Sequence, residues 1–210
     1  SDYFALNNVT LEDILSDGQE LDSSFTPLIS FQQQANGNNF TNQPFAGPNV
    51  TSTINGDGTQ TVVFDISEQL KALRILSDGR MLGAAIPLQG TQGGTPDPNT
   101  TVTPGTTGTV IFRANILDDY RTDPFLGAEV VEGDVMTDTA SMTADVLAYS
   151  DALTPTGSNV TDGSQKSFTL ANGKTEKTLY AINGLPPVTN QRVSPGDAVT
   201  FRLKHELPFS

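Results

Sequence analysis

Arg192-Val-Ser-Pro-Gly-Asp-Ala-Val-Thr-Phe-Arg-Leu-Lys-His-Glu-Leu-Pro208 joins a Pro195-Gly196 turn to a stretch in which Val199, Phe201 and Leu203 alternate with Thr200, Arg202 and Lys204. Such alternation marks a β-strand, because successive side chains leave a pleated backbone on opposite faces. The segment reads as the opening half of a hairpin, yet it stands last. The first residues complement it: Phe4, Leu6, Val9 and Leu11 repeat the alternation with no turn or cap before them. Two copies placed end to end read Leu207-Pro-Phe-Ser210 and then Ser1-Asp-Tyr-Phe4, a strand, a short link and a strand. That is the phase of a tandem repeat or a head-to-tail polymer. The expectation is that residues 188–210 complete a neighbouring or following module, with Val199, Phe201 and Leu203 as the assembly strand.

Strand signals run through the rest of the chain. Thr61–Asp65, Gly108–Leu117, Ser141–Tyr149, Lys166–Ala171 and Thr178–Ile182 are rich in β-branched and apolar residues and are bounded by Gly, Pro, Asn or Asp. Asn55-Gly-Asp-Gly58, Asp78-Gly79, Asp162-Gly163 and Asn172-Gly173 supply residues that tolerate the positive φ of tight turns. Many short strands with turns between them predict a sandwich or barrel. The one helical stretch, Ser67–Leu76, is expected to be capped by Ser67 and to turn Leu70, Leu73 and Ile75 or Leu76 to the core, as a short crossover. Residues 32–48 and 89–107 read as long exposed loops, the first pinned by Phe40 and Phe45. The predicted organisation is a sandwich over 1–187 followed by the terminal segment 188–210, with a small second sheet at 150–187 as an open alternative.

The chain has 210 residues, enough to bury one large core or two small ones without metal or disulfide, and it contains no Cys and no Trp. Lack of Cys removes thiolate metal sites and cysteine nucleophiles. Eleven basic against 24 acidic residues give a formal charge of −13, which repels nucleic acid and anionic lipid. No apolar run approaches the ~20 residues of a membrane span. Only 17% of residues are charged while Thr, Ser, Asn and Gly abound, a balance of extracellular β-proteins. The sole histidine, His205, lies between Lys204 and Glu206, which leaves no Ser-His-Asp or histidine metal set.

The acidity fits calcium better than catalysis. Asp57 in the turn at 55–58 and Asp118, Asp119 and Asp123 in the loop at 117–123 offer hard oxygen ligands, without the 12-residue EF-hand spacing. Structural calcium is therefore the one cofactor considered; the alternative is plain turn chemistry. An isopeptide bond would draw on Lys71, Lys166 or Lys204 beside a buried acid.

Asn8-Val-Thr-Leu-Glu-Asp13 with Asp17-Gly18, Gly108-Thr-Val-Ile-Phe-Arg-Ala114 and Val193-Ser-Pro-Gly-Asp-Ala-Val-Thr-Phe201 together resemble the tandem repeat known as domain of unknown function eleven, found in strings in large bacterial and archaeal surface proteins. In this chain the opening strand of that pattern stands last, Phe201 takes the tyrosine place and Ile14–Gly18 lacks the turn proline. The resemblance implies an all-β, immunoglobulin-like Greek-key β-sandwich of structural or adhesive use, and it carries no catalytic residue. The expected function is a non-enzymatic subunit or repeat of an extracellular filament, sheath or adhesin, joined head to tail by β-strand complementation. A glycan- or ligand-binding sandwich using the 32–48 and 89–107 loops is the alternative, and a virion protein a third.

Overall fold

The computed structural model describes residues 4–33, 38–74, 78–83, 105–122, 127–148, 152–171, 174–188 and 192–206. Among the described residues the fold is all-β with one α-helix. Ser1–Val130 and Met136–Phe168 form one compact unit, and Val131–Val135 with Thr169–Ser210 form a second.

In the first unit, β1 (Leu6–Leu15), β5 (Val50–Ile54), β6 (Gln60–Asp65), β9 (Val135–Leu147) and β10 (Pro155–Thr169) build a five-stranded sheet of order β10-β9-β1-β6-β5. A three-stranded sheet, β4-β3-β7, lies across it, made of β3 (Leu28–Gln33), β4 (Asn38–Pro44) and β7 (Thr106–Ile111). A short pair, β2 (Gln19–Leu21) with β8 (Ala114–Ile116), extends one end. The core between the layers takes Val9 and Leu15 from β1, Val62 and Phe64 from β6, Ala144 from β9, and Ile29 and Phe31 from β3. Period-two alternation explains this choice: Gln60, Val62 and Phe64 are buried while Thr61, Val63 and Asp65 are only partly so.

The helix α1 (Ile66–Ala72) follows β6 directly. Its cap is Asp65, whose side chain accepts from Glu68 N, rather than Ser67. Ser67 lies inside the first turn, buried, and its Oγ accepts from Val9 N at 2.9 Å. That bond explains the neighbouring irregularity. The pairing of β1 with β9 slips between Asn7 and Thr10, Asn8 has φ of 50°, and the freed Val9 amide is satisfied by the helix instead of by a strand. Gln69, also buried, donates to Pro44 O and accepts from Ala46 N and Asn49 Nδ2, tying the chain after β4 to the helix.

Four sequence expectations are corrected. The 32–48 stretch is largely strand, since β3 and β4 pair across it with Phe31 opposite Phe40, and the apolar pair outweighs the Gln and Asn around it. Asp162-Gly163 is not a hairpin turn: Asp162 Oδ1 accepts from Gly163 N within the 15-residue β10. The single strand expected over 108–117 is split into β7 and β8. Phe112, between them, packs against Phe64 with ring centroids 5.4 Å apart. Residues 169–187 group with the terminal segment rather than with the sandwich. Of the two strands near 150–187, β10 belongs to the five-stranded sheet and β11 (Lys174–Ile182) pairs with β12 (Val199–Glu206). The 89–107 stretch lies outside the described residues up to 104, and its last two residues open β7. The turn expected at 172–173 also lies outside them.

Candidate functional site

The second unit is an antiparallel ribbon. β12 aligns Val199 with Ile182, Phe201 with Leu179 and Leu203 with Lys177, with a slip between Leu179 and Ala181. Ala181 and Ile182 are buried, but the predicted assembly residues are not: Val199 is 37% exposed, Phe201 53% and Leu203 70%. A two-stranded ribbon has no second layer to cover both faces, so one apolar row must stay in water. Lys177 Nζ lies 4.3 Å from the Phe201 ring centroid and the Arg202 guanidinium 5.1 Å from that of Tyr180, so cations cover part of the aromatic surface. In the sheet order β12 pairs with β11 on one edge, and among the described residues its other edge has no strand. The sequence brought these three residues to one strand correctly; it did not reveal that their partner strand would come from residues 174–182.

In the first unit the two layers are unequal, three strands against five. Along the edge of β7 a cleft of about 240 Å³ is lined by Val9, Leu11, Phe31, Gly108, Val110 and Met142 among others, nearly all of it apolar. Leu6 and Val146, paired two rows further along the same face, line another of about 400 Å³ with Phe4 and Val160. Gly108 sits opposite Phe31 and adds no side chain there. The outer side of the three-stranded sheet differs in character: Ser30, Gln32, Asn39, Thr41, Thr107 and Thr109 line a shallow polar trough beside Phe40.

The structure brings the 55–58 turn against the 118–122 loop, where Thr122 Oγ1 donates to Asp57 O at 3.1 Å, but the described acids expected to bind calcium are engaged otherwise. Asp57 Oδ1 accepts from Thr59 N and Thr59 Oγ1, bonds that hold its carboxyl below the usual range and close the β5–β6 turn. Asp118 O accepts from Val130 N, Asp119 bridges to Glu129 through the backbone, and Asp123 lies outside the described residues. Among the described residues no three His, Cys, Asp or Glu side chains group to hold a metal ion. Of the lysines considered for an isopeptide bond, Lys71 pairs with Glu68 on the helix surface, and Lys166 and Lys204 are exposed. The side chain of His205 lies outside the described residues.

The acid that organises this end of the sandwich is Asp17. Its carboxylate accepts from Gly18 N, Arg121 N, Thr122 N and Thr122 Oγ1, at 2.7 to 3.2 Å. Burial alone would raise its pKa; the hydrogen bonds from Arg121, Thr122 and Gly18 together bring it below the ordinary value. Arg121 then reaches Gln19 O, Gly58 O and Glu20 Oε2, fastening the 118–122 loop to β2 and to the β5–β6 turn. The signal was present in the sequence: one arginine in a run of acids is placed to bond carbonyls and a carboxylate rather than to sit in a cation loop.

Asp13 is the unusual carboxyl. It occupies a core-side position of β1, level with Val62 and Ala140, and its Oδ1 is shut from water with no hydrogen-bond partner. Burial first, and the nearby Asp138 second, push its pKa up to about 6. A raised folded-state pKa means the folded form binds the proton more tightly, so stability from this group is full below the ordinary value of 3.8 and is lost as pH rises through about 6. Asp17, Asp57 and Asp197 are held down instead and weaken the fold only on acidification below their ordinary range. Stability of the first unit is therefore expected to rise by about 1 kcal/mol between pH 7 and pH 5, after allowing for solvent screening of a half-buried group. Urea unfolding of the wild type and of Asp13→Asn across that range checks it, the variant losing the slope.

Comparison of the chain with family models, curated proteins and solved structures gives no match. Among the described residues, no helix is long and apolar enough to cross a membrane.

Proposed function

We propose that the chain is a non-enzymatic structural module of an extracellular filament, sheath or long surface adhesin, an immunoglobulin-like tandem repeat joined to its neighbours through β12. The observation that carries this reading is the exposed row Val199, Phe201 and Leu203 on a strand with an open edge. Unpaired backbone groups beside apolar side chains form a template for strand addition. Burying the parts of Val199, Phe201 and Leu203 still exposed contributes roughly 2–5 kcal/mol in all before any hydrogen bond is counted, which strengthens the joint. The repulsive charge of −13, the polar and cysteine-free composition and the sequence resemblance to surface repeats support the extracellular setting.

Light scattering with negative-stain imaging of the full chain tests the reading. The wild type is expected to assemble in a concentration-dependent way. Phe201→Asp/Leu203→Asp is expected to weaken association by about 10²- to 10⁴-fold while leaving the sandwich unfolding transition in place. A wild type that stays monomeric at every concentration would sink the proposal. Repeating the measurement in calcium and in chelator decides whether the acidic loops contribute.

A second reading, glycan binding, draws support from the polar trough of Ser30, Gln32, Asn39, Thr41, Thr107 and Thr109 beside Phe40, an amide and hydroxyl lining suited to sugar hydroxyls. Glycan-array binding that Asn39→Ala/Thr109→Ala removes would favour it.

A further inference from the structure

Among the described residues, three strands cover five in the first unit, and the part left uncovered is specific. The inner face of β1 and β9 presents Leu11 and Met142 beside the edge of β7, and Leu6 and Val146 further along, all only partly buried. Among the described residues no strand pairs with that edge, and at its start Thr106 N and Oγ1 both donate to Leu82 O. Stacked sheets lie ~10 Å apart, a gap filled by side chains from both layers, so an uncovered apolar strip beside an open edge lacks strands rather than a small ligand. The ribbon of the second unit supplies what is missing in kind. It has two strands, an edge of β12 that no described strand pairs with, and an alternating apolar row, Val199, Phe201 and Leu203, that is 37–70% exposed.

Charge favours the same match. The unit Val131–Val135 with Thr169–Ser210 carries five basic and five acidic residues, so the whole formal charge of −13 lies on the sandwich unit. β12 itself has Arg202 and Lys204 at positions alternating with Phe201 and Leu203. A second bare sandwich would bring like charge against like, whereas a neutral ribbon with a basic strand does not.

Resting on the strand-joint reading above, we infer that the cleft beside β7 is the acceptor site for the β11–β12 ribbon of a second copy of this chain, with β12 added to the free edge of β7 and Val199, Phe201 and Leu203 laid over Leu11, Met142 and Gly108. The second layer then has five strands, matching the first. Gly108 is the specificity position: without a side chain opposite Phe31, it leaves the room that an incoming apolar side chain fills. A Cβ there would meet only Phe31 Cδ2 and Ser30 O at 3.8 Å, ordinary contact distance, so a larger residue blocks the cleft without straining the sheet.

The chain has no cysteine, which permits clean cross-linking. Thr109→Cys and Thr200→Cys proteins, each otherwise wild type, are mixed and oxidised; a disulfide-linked pair between the two is expected. Gly108→Leu is expected to weaken self-association tenfold or more with its unfolding transition unchanged. If that variant fails to fold, the cross-link alone decides. Cross-linking of Thr200→Cys to Thr161→Cys on β10 in place of Thr109→Cys, with assembly intact in Gly108→Leu, would overturn the acceptor site while keeping the strand joint. A double variant Thr109→Cys/Thr200→Cys that closes only within one chain would also overturn it, assigning the ribbon to its own sandwich. A wild type that never associates would remove both readings together.

Discussion

Phe64→Ala is expected to destabilise the sandwich by about 3–5 kcal/mol, the largest effect of any single truncation in the chain. Phe64 has no exposed surface, and its ring lies 5.5 Å from that of Phe45 and 5.4 Å from that of Phe112. It thereby joins three separate pieces of sequence: β6, the segment tied down by Gln69, and the break between β7 and β8. Alanine removes both the transfer free energy of the ring and the contacts of two tilted aromatic neighbours, which cannot collapse fully into the space. For a chain of this length the loss lowers the melting transition of the first unit by roughly 10 °C. Phe64→Leu should recover more than half of it. Calorimetry of both variants checks the expectation, and a loss below about 1 kcal/mol in Phe64→Ala would show that the ring is not central to the core.

The second large effect is expected at Asp17. Asp17→Ala removes one carboxylate that satisfies three backbone amides and a hydroxyl, and leaves Arg121 beside carbonyls without its anchor. The cost is about 3 kcal/mol, set by the amides left without acceptors rather than by the charge. Asp17→Asn keeps one acceptor oxygen and should lose about half as much. Urea unfolding gives the magnitude, and hydrogen exchange at the amides of Arg121 and Thr122 gives the place, expected to speed up in Asp17→Ala well before amides of β1 and β6 do. Gly58 reports on the same contact from the other side, since a Cβ there would come within 2.4 Å of Asp17 Oδ2.

Strand content and the apolar faces of β1, β6 and β12 were legible because period-two alternation is a local signal: Val62 and Phe64 announce their burial from residues 60–65 alone. Pairing partners were less legible. Nothing within 178–182 says that it will meet 199–206 instead of joining the sandwich, because a ribbon and an edge strand share the same alternation. The Gln- and Asn-rich stretch after residue 32 was misread for the opposite reason. Its composition suggests a loop, and only the non-local match of Phe31 with Phe40 makes it a hairpin. The candidate assembly residues could be read off the sequence, while the cleft beside β7 could not. It arises from five strands facing three, a property of the topology and of no single segment.

On the proposed strand joint, a chain that accepts a strand at one edge must refuse strands at another. β10 is one of the two edge strands of the five-stranded sheet, opposite β5, and at 15 residues it is the sort of edge on which β-proteins polymerise in the wrong register. Its sequence works against that. Gly157 at φ of 77° breaks the regular backbone, Asp162 and Lys166 place charges along the strand, and large apolar residues are confined to Val160 and Phe168. β12 has the reverse character, apolar at alternate positions and free of Gly and Pro. On the proposed strand joint, solubility and growth fall to different edges of one molecule, and Lys166→Val on β10 is expected to turn ordered, one-dimensional assembly into precipitation without altering a residue of that joint.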